Sequence, residues 1–218
     1  MTAGDDGAAA FIRAHTAVAA PPLCPEIRLH LATEITPIWQ ATEETLAAAG
    51  LPPPFWAFCW AGGQALARHL LDNPALAAGR RVLDFACGGG VVAIAAARCG
   101  GTVLANDVDP FALAATRLNA DLNGVALATE GADLVGRADL NHDLILAGDI
   151  CYEQPLAGRV SDWLRALAGA GATVLIGDPG RAYLRRDGLV ELAAYDVPTS
   201  LELEDRTVRR TGVWRVTP

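Results

Sequence analysis

Residues 80–107 read RRVLDFACGGGVVAIAAARCGGTVLAND. An apolar run ends through Asp84 and Phe85, and the glycines Gly88, Gly89 and Gly90 then open an alanine-rich segment of helical length. A second apolar run follows and stops at Asp107. Short apolar runs bounded by turn residues are the pattern of buried strands. Strand, glycine turn, helix and strand in succession make a right-handed βαβ unit.

The same alternation extends outward from this unit. Upstream, GGQALARHLLDNP (62–74) is helical and stops at Asn73-Pro74. Downstream, PFALAATRLNADLNG (110–124) is a helix with Pro at its first turn and Asn-Gly at its end. VALAT (125–129) and HDLILAGD (142–149) are strands, QPLAGRVSDWLRALAGAG (154–171) is a helix, and ATVLIGD (172–178) is a strand. DGLVELAAYDVP (187–198) reads as a short helix running into a strand. RTVRRTGVWRV (206–216) is a long alternating strand, and the short connection makes these last two strands antiparallel.

The expected fold is therefore α/β, a Rossmann-like domain with a mostly parallel sheet covered on both faces. The boundaries are a domain over 62–218 and an N-terminal extension over 1–61. In the extension, residues 1–20 read as a loose helix, EIRLHLA (26–32) as a short strand and TPIWQATEETLAAAG (36–50) as a helix. LPPPFWAFCWAGG (51–63) carries too many prolines and glycines to be regular.

Composition narrows the function. The net charge is −8, and arginines cluster only in short pairs, which argues against nucleic acid and for a cationic or small-molecule partner. All 17 basic residues are arginine. Without lysine there is neither a Schiff-base nucleophile nor a Walker-type phosphate loop. The five cysteines are scattered without a CxxC, and the four histidines lack metal-ligand spacing, so no disulfide framework or metal site is expected. No apolar run reaches membrane-span length, and MTAGDDGAAAFIRAH lacks the pattern of a secretory signal. The expected location is the cytoplasm. Oligomeric state is not legible.

Ligands of open α/β sheets bind beyond the carboxyl ends of the strands. A dinucleotide would call for G-x-G-x-x-G with its pyrophosphate on the helix N-terminus. Here the pattern is D-x-A-x-G-x-G, formed by Asp84, Ala86, Gly88 and Gly90. A carboxylate inside the loop repels a pyrophosphate and attracts a cation. This points to a ligand such as S-adenosylmethionine. Asp107 stands where an acid accepts from both ribose hydroxyls. Asp109 is either an N-cap before Pro110 or a ligand contact. Asp133, in GADLVG, is either an acceptor for the adenine amine or a plain loop acid.

The loop from Asp84 to Gly90, taken with Asp107, resembles the first motif and ribose acid of class I S-adenosylmethionine-dependent methyltransferases. That resemblance implies a seven-stranded sheet of order 3-2-1-4-5-7-6 with strand 7 antiparallel. PPFWAFCWAGGQALARHLLDNP, GDICYE, GDPGRAYL and ELEDRTVRRTGVWRV together resemble the family that methylates lysines of the electron transfer flavoprotein beta subunit. The resemblance implies S-adenosylmethionine as cofactor and that protein as partner. It also implies a D-x-x-Y motif, Asp149 to Tyr152, in which Asp149 orients the amine and contributes to the cofactor site while Tyr152 shapes the acceptor channel. The alternatives are a cap on the following helix for Asp149 and loop packing for Tyr152. By the same resemblance Trp60, Gly62 and Val108 join the cofactor site, and Gly62 and Gly63 allow close approach; the alternative is that Phe55, Trp56, Phe58 and Trp60 close one end of the core. Arg181, in DPGRAYL, is expected to help hold a loop over the centre. Phe58 is expected in the core, and Glu43 and Glu44 on a solvated helix face. One departure stands out: Ala86 occupies a position where the family usually carries glycine, adding a methyl and disfavouring positive φ. Competing readings are a methyltransferase with a ribosomal-protein or small-amine acceptor, a non-catalytic S-adenosylmethionine-binding module, and an NAD-dependent oxidoreductase.

Overall fold

The computed structural model describes residues 3–32, 53–199 and 206–218. The expected helix over 36–50, with Glu43 and Glu44, lies outside them.

Seven strands form one sheet: β3 (Arg81–Phe85), β4 (Thr102–Asn106), β5 (Ala128–Glu130), β6 (Leu144–Gly148), β7 (Thr173–Asp178), β8 (Leu189–Pro198) and β9 (Val208–Val216). Their spatial order is β5-β4-β3-β6-β7-β9-β8. Counted within the sheet this is 3-2-1-4-5-7-6, and β9 runs antiparallel to both neighbours. The remaining pairs are parallel.

Both faces of the sheet are buried, so its central strands read as continuous apolar runs. Val82, Leu144, Leu146 and Leu175 face α2 (Ala61–Asp72) and α3 (Val91–Arg98). Leu83, Phe85, Ile145, Ala147, Val174 and Ile176 face α5 (Leu156–Gly169), whose Trp163 and Leu164 fill the opposite layer. Helix α4 (Pro110–Leu122) packs against α1 (Ala3–His15) through Ile12, Ala112 and Ala115. Cys24, Ile27 and Leu29 of the N-terminal segment enter the same core as α2 and α3. Among the described residues, no helix is long and apolar enough to cross a membrane.

Three expectations are corrected. The N-terminal helix stops at His15, and β1 (Ala17–Ala19) then pairs antiparallel with β2 (Leu29–Leu31). The strand expected over 125–129 is displaced to Ala128–Glu130, because Val125 still donates to the Ala120 carbonyl at the end of α4. No helix forms at 187–198, since β8 pairs along its whole length with β9. Its register shifts between Glu191 and Ala193, which leaves Leu192 as an extra residue. A bulge of this kind resets the alternation of period two, which is why LVELAA looks helical in sequence.

Candidate active site

Helices α2 and α3 both begin without a side-chain cap of their own. Each is capped instead by an acid at the end of a strand. Asp84 of β3 is 1% exposed, and its Oδ2 accepts the N–H of Ala93, the third residue of α3, at 2.9 Å. Asp149, just after β6, accepts the N–H of Gly63, the third residue of α2, at 2.9 Å. A carboxylate at a helix N-terminus satisfies an orphan donor and meets the positive end of the helix dipole. Both acids line one pocket with Trp60, Ala86, Cys87, Gly88, Val91 and Gly148. Burial pushes the Asp84 carboxyl up to about 8 despite the Ala93 N–H. Burial likewise raises Asp149 to about 6, with Arg181 and Gly63 acting in the opposite direction.

The glycine loop is tied down from several sides. Gly88 N–H donates to Asp107 Oδ2 at 2.9 Å, and Asp107 Oδ1 accepts the N–H of Asp109 at 3.0 Å. Burial raises Asp107 against these donors. Asp109 is the N-cap of α4, accepting Phe111 N–H at 2.8 Å. From α4, Thr116 Oγ1 donates to the Gly88 carbonyl at 3.0 Å and Asn119 Nδ2 to the Gly89 carbonyl at 2.8 Å. Gly90 has φ +82°, and a Cβ there would lie 2.8 Å from Thr116 Oγ1. Ala86 adopts φ +55°, as does Asp149. Alanine thus occupies the left-handed conformation that the loop demands and that glycine adopts more easily.

The N-terminus of α2 approaches the carboxyl ends of β6 and β7 through glycines. A Cβ on Gly62 would lie 2.5 Å from Asp149 Oδ2 and closer still to the Gly177 carbonyl. One on Gly148 would lie 3.0 Å from Gly63 N. Gly62 therefore serves the approach of backbone to backbone, and it is Gly63 that faces the pocket.

Aromatic side chains form the rim. Trp60 Nε1 donates to the Phe55 carbonyl at 3.0 Å, and its ring meets Phe55 at 6.1 Å and Phe58 at 6.0 Å edge-on. Tyr152 lies 5.7 Å from the Phe55 ring. Phe55 and Tyr152 are 47% and 44% exposed, a large apolar surface beside a pocket. The Arg181 guanidinium sits 5.5 Å from the centre of the Trp60 ring. Its Nη2 and Nε reach Asp149 Oδ1 at 2.7 and 3.1 Å. Asp178 Oδ1 accepts the N–H groups of Gly180 and Arg181, both at 2.7 Å, and so fixes the loop that carries the arginine.

Of the residues named from sequence, Trp60, Asp84, Ala86, Gly88 and Asp149 line the pocket together. Phe58 also lines it, against the expectation of a purely core role. Asp107 and Gly90 brace the loop from behind. Val108 is 68% exposed beside Asp107, and Tyr152 stands on the rim. Asp133 is exposed, accepts Val135 N–H at 3.0 Å and lies 4.0 Å from Arg159. Asp149 caps α2 rather than the helix that follows it, whose N-cap is Pro155. Sequence reasoning missed Thr116 and Asn119, which hold the glycine loop. It also missed Gln64, which donates to the Cys59 carbonyl and accepts Leu23 N–H. Thr116, Asn119 and Asn123 fall at helical spacing on one face of α4, which is the signal that could have found them.

The comparisons with known proteins agree with this fold. A family model described as ribosomal protein L11 methyltransferase (PrmA) matches residues 65–174. The electron transfer flavoprotein beta subunit lysine methyltransferase of Xenopus laevis is 42% identical over 95% of this chain and 86% of that protein. Its counterpart from Danio rerio is 40% identical over 98% of this chain and 85% of that protein. Among solved structures, the T. thermophilus 16S rRNA N2 G1207 methyltransferase (RsmC), in complex with AdoMet and guanosine, has a TM-score of 0.61. It is 14% identical, covers 93% of this chain and 50% of its own, and is similar in fold alone. The chain is a methyltransferase and belongs to the electron transfer flavoprotein beta subunit lysine methyltransferase family.

Proposed function

We propose that this protein transfers the methyl group of S-adenosylmethionine to lysine ε-amines of the electron transfer flavoprotein beta subunit, in the cytoplasm. The observation that carries the reading is a pocket with two buried carboxylates and an aromatic mouth, in a chain similar over nearly its whole length to enzymes named for that reaction. The residues fit the cofactor. A buried acid raised to about 8 is an acid that an incoming cation would ionise, and Asp84 is such a group. When bound, S-adenosylmethionine supplies an activated methyl group on a positively charged sulfur.

In this reading each oxygen of Asp107, holding one N–H, keeps a lone pair for a ribose hydroxyl. Gly88 and Ala86 form the wall of the loop, Trp60 and Val108 offer apolar cover, and Asp133 keeps acceptor capacity for the adenine amine. Gly62 and Gly90 act indirectly, by letting α2 and α4 close on the site. The acceptor lysine must arrive neutral, which at neutral pH costs roughly 4 to 5 kcal/mol from a pKa of about 10.4. Phe55, Tyr152 and Trp60 surround its aliphatic stem and exclude water, which favours the uncharged amine. Asp149 has Oδ1 held by Arg181 and one site of Oδ2 held by Gly63. The remaining site on Oδ2 accepts an N–H of the amine and fixes its lone pair, so the contribution is mainly one of orientation.

The test is transfer of radiolabelled methyl to lysate from a host lacking the enzyme, with products resolved by gel and mapped by mass spectrometry. Label on lysine of the flavoprotein beta subunit is the expected result. Label on a ribosomal protein or in the small-molecule fraction would keep the enzyme class and overturn the acceptor. Asp149→Ala removes the oxygen that accepts the amine. It is expected to keep cofactor affinity within about threefold while turnover falls at least a hundredfold, as for loss of an orienting group. Unchanged turnover would remove Asp149 from the mechanism.

A further inference from the structure

We propose that Arg181 is a positioning residue of the methyl transfer, gripping one oxygen of Asp149 so that the other is presented, as a carboxylate, to the acceptor amine. The proposal rests on the role given to Asp149 above and extends it to the loop after β7.

The geometry is specific. Two guanidinium nitrogens of Arg181 converge on a single oxygen, Asp149 Oδ1, at 2.7 and 3.1 Å. Oδ2 is turned toward Gly63, and Asp149 is among the residues that line the pocket. Asp149 itself has φ +55°, a conformation that a side chain resists unless its surroundings hold it. The arginine is equally constrained. Its guanidinium stacks on Trp60, and its backbone N–H is held by Asp178 Oδ1. The Tyr183 N–H reaches the Cys151 carbonyl at 3.2 Å, so the arginine loop is also fastened to the D-x-x-Y turn. Both partners of the ion pair are largely buried, with side chains 16% and 10% exposed. Solvent screening is weak there, and loss of one partner would leave the other charge stranded.

The groups around Asp149 act in opposite senses. Asp178, from the end of β7, disfavours its charge, and Arg181 favours it. The Cys59 and Cys151 thiols also lie close, and burial raises both, so they stay protonated. Arg181 is thus the cation that opposes burial and Asp178 together. Arg181 touches neither acceptor nor methyl group in this scheme and acts through Asp149.

Two readouts test the proposal. The first needs no acceptor: the Asp149 carboxyl carbon, identified as the NMR signal missing from Asp149→Asn, is expected to titrate at about 6 in the unaltered protein. It should move up by about two pH units in Arg181→Met, which keeps the stem against Trp60, and in Arg181→Gln. Arg181→Lys, with a cation but no two-nitrogen grip, should fall between. The second is the pH profile of kcat, which should drop at least tenfold at pH 7 in the neutral variants and largely recover by pH 9. KM for the cofactor should change little. A carboxyl titration that does not move, or a loss of kcat equal at every pH, would overturn the proposal. If only Arg181→Lys folds, an unmoved titration in that variant overturns it. If the titration shifts but no lysine is methylated by the unaltered enzyme, the acceptor assignment fails and the Arg181–Asp149 coupling stands.

Discussion

Ala86 and Gly62 show opposite uses of a single methyl group. Ala86 holds φ +55°, so its side chain costs about 1–2 kcal/mol that glycine would not. Ala86→Gly is expected to stabilise the protein by about 0.5–1 kcal/mol after the greater chain entropy of glycine is deducted, a rise in Tm of about 1–4 °C. Cofactor affinity should be held or improved; a lower Tm would mean that the methyl makes contacts worth more than its strain. At Gly62 an added Cβ would collide with the Gly177 carbonyl and the Asp149 carboxylate, neither of which is free to withdraw. Gly62→Ala should cost about 3 kcal/mol, lower Tm by roughly 6–12 °C and displace Asp149 enough to abolish turnover. Thermal melting with a single-turnover assay measures both effects.

Between elements, the glycine loop depends on a helix that does not follow it directly. Asn119 of α4 is fully buried and joins the Gly89 carbonyl to His30 N–H at 2.8 and 2.7 Å. It therefore binds the loop and β2 to one helix face. Asn123, one turn on, repeats the link by accepting Arg28 N–H at 3.0 Å. Asn119→Ala should cost about 2–3 kcal/mol, since two polar backbone groups lose their partner. The looser loop should weaken cofactor binding about tenfold, as read by calorimetric titration. Unchanged affinity would show that Thr116 alone, from the same helix, holds the loop.

Across the whole molecule, buried acids set the pH dependence. Asp84 and Asp149 are raised to about 8 and about 6, and Asp107, Asp109 and Asp178 are also raised by burial. Their unfolded values lie near 4. Between about pH 4 and 8 the folded state therefore binds more protons than the unfolded state, and stability falls as pH rises through that window. The exposed acids paired with arginine, Asp139 and Asp143 among them, are lowered and add stability above about pH 4 that is lost in acid. The ligand-free protein should melt highest near pH 4–5 and lose Tm steadily toward pH 8. A saturating cationic cofactor favours the ionised acids and should flatten that decline. A Tm that rose from pH 5 to 8 without cofactor would contradict the burial of these carboxylates.

Much of this was legible along the chain, because both faces of a parallel sheet are buried and strands such as VLDFA and LILAG must then be apolar throughout. The βαβ succession, the acid of the glycine loop and Asp107 follow from local pattern, and the D-x-x-Y turn from the resemblance to the family. The β8 bulge was not legible, since an extra residue such as Leu192 is tolerated only because β9 lies beside it. Nor did sequence show that Asp84 reaches over the glycine loop to cap α3, that Asp149 caps α2, which lies before it in the chain, that Asn119 reaches Gly89, or that Arg181 grips Asp149. These contacts join residues 9 to 86 positions apart. Periodicity reports which face of an element is buried. Which carboxylate meets which donor is decided only when the carboxyl ends of the strands and the helix N-termini are packed into one place.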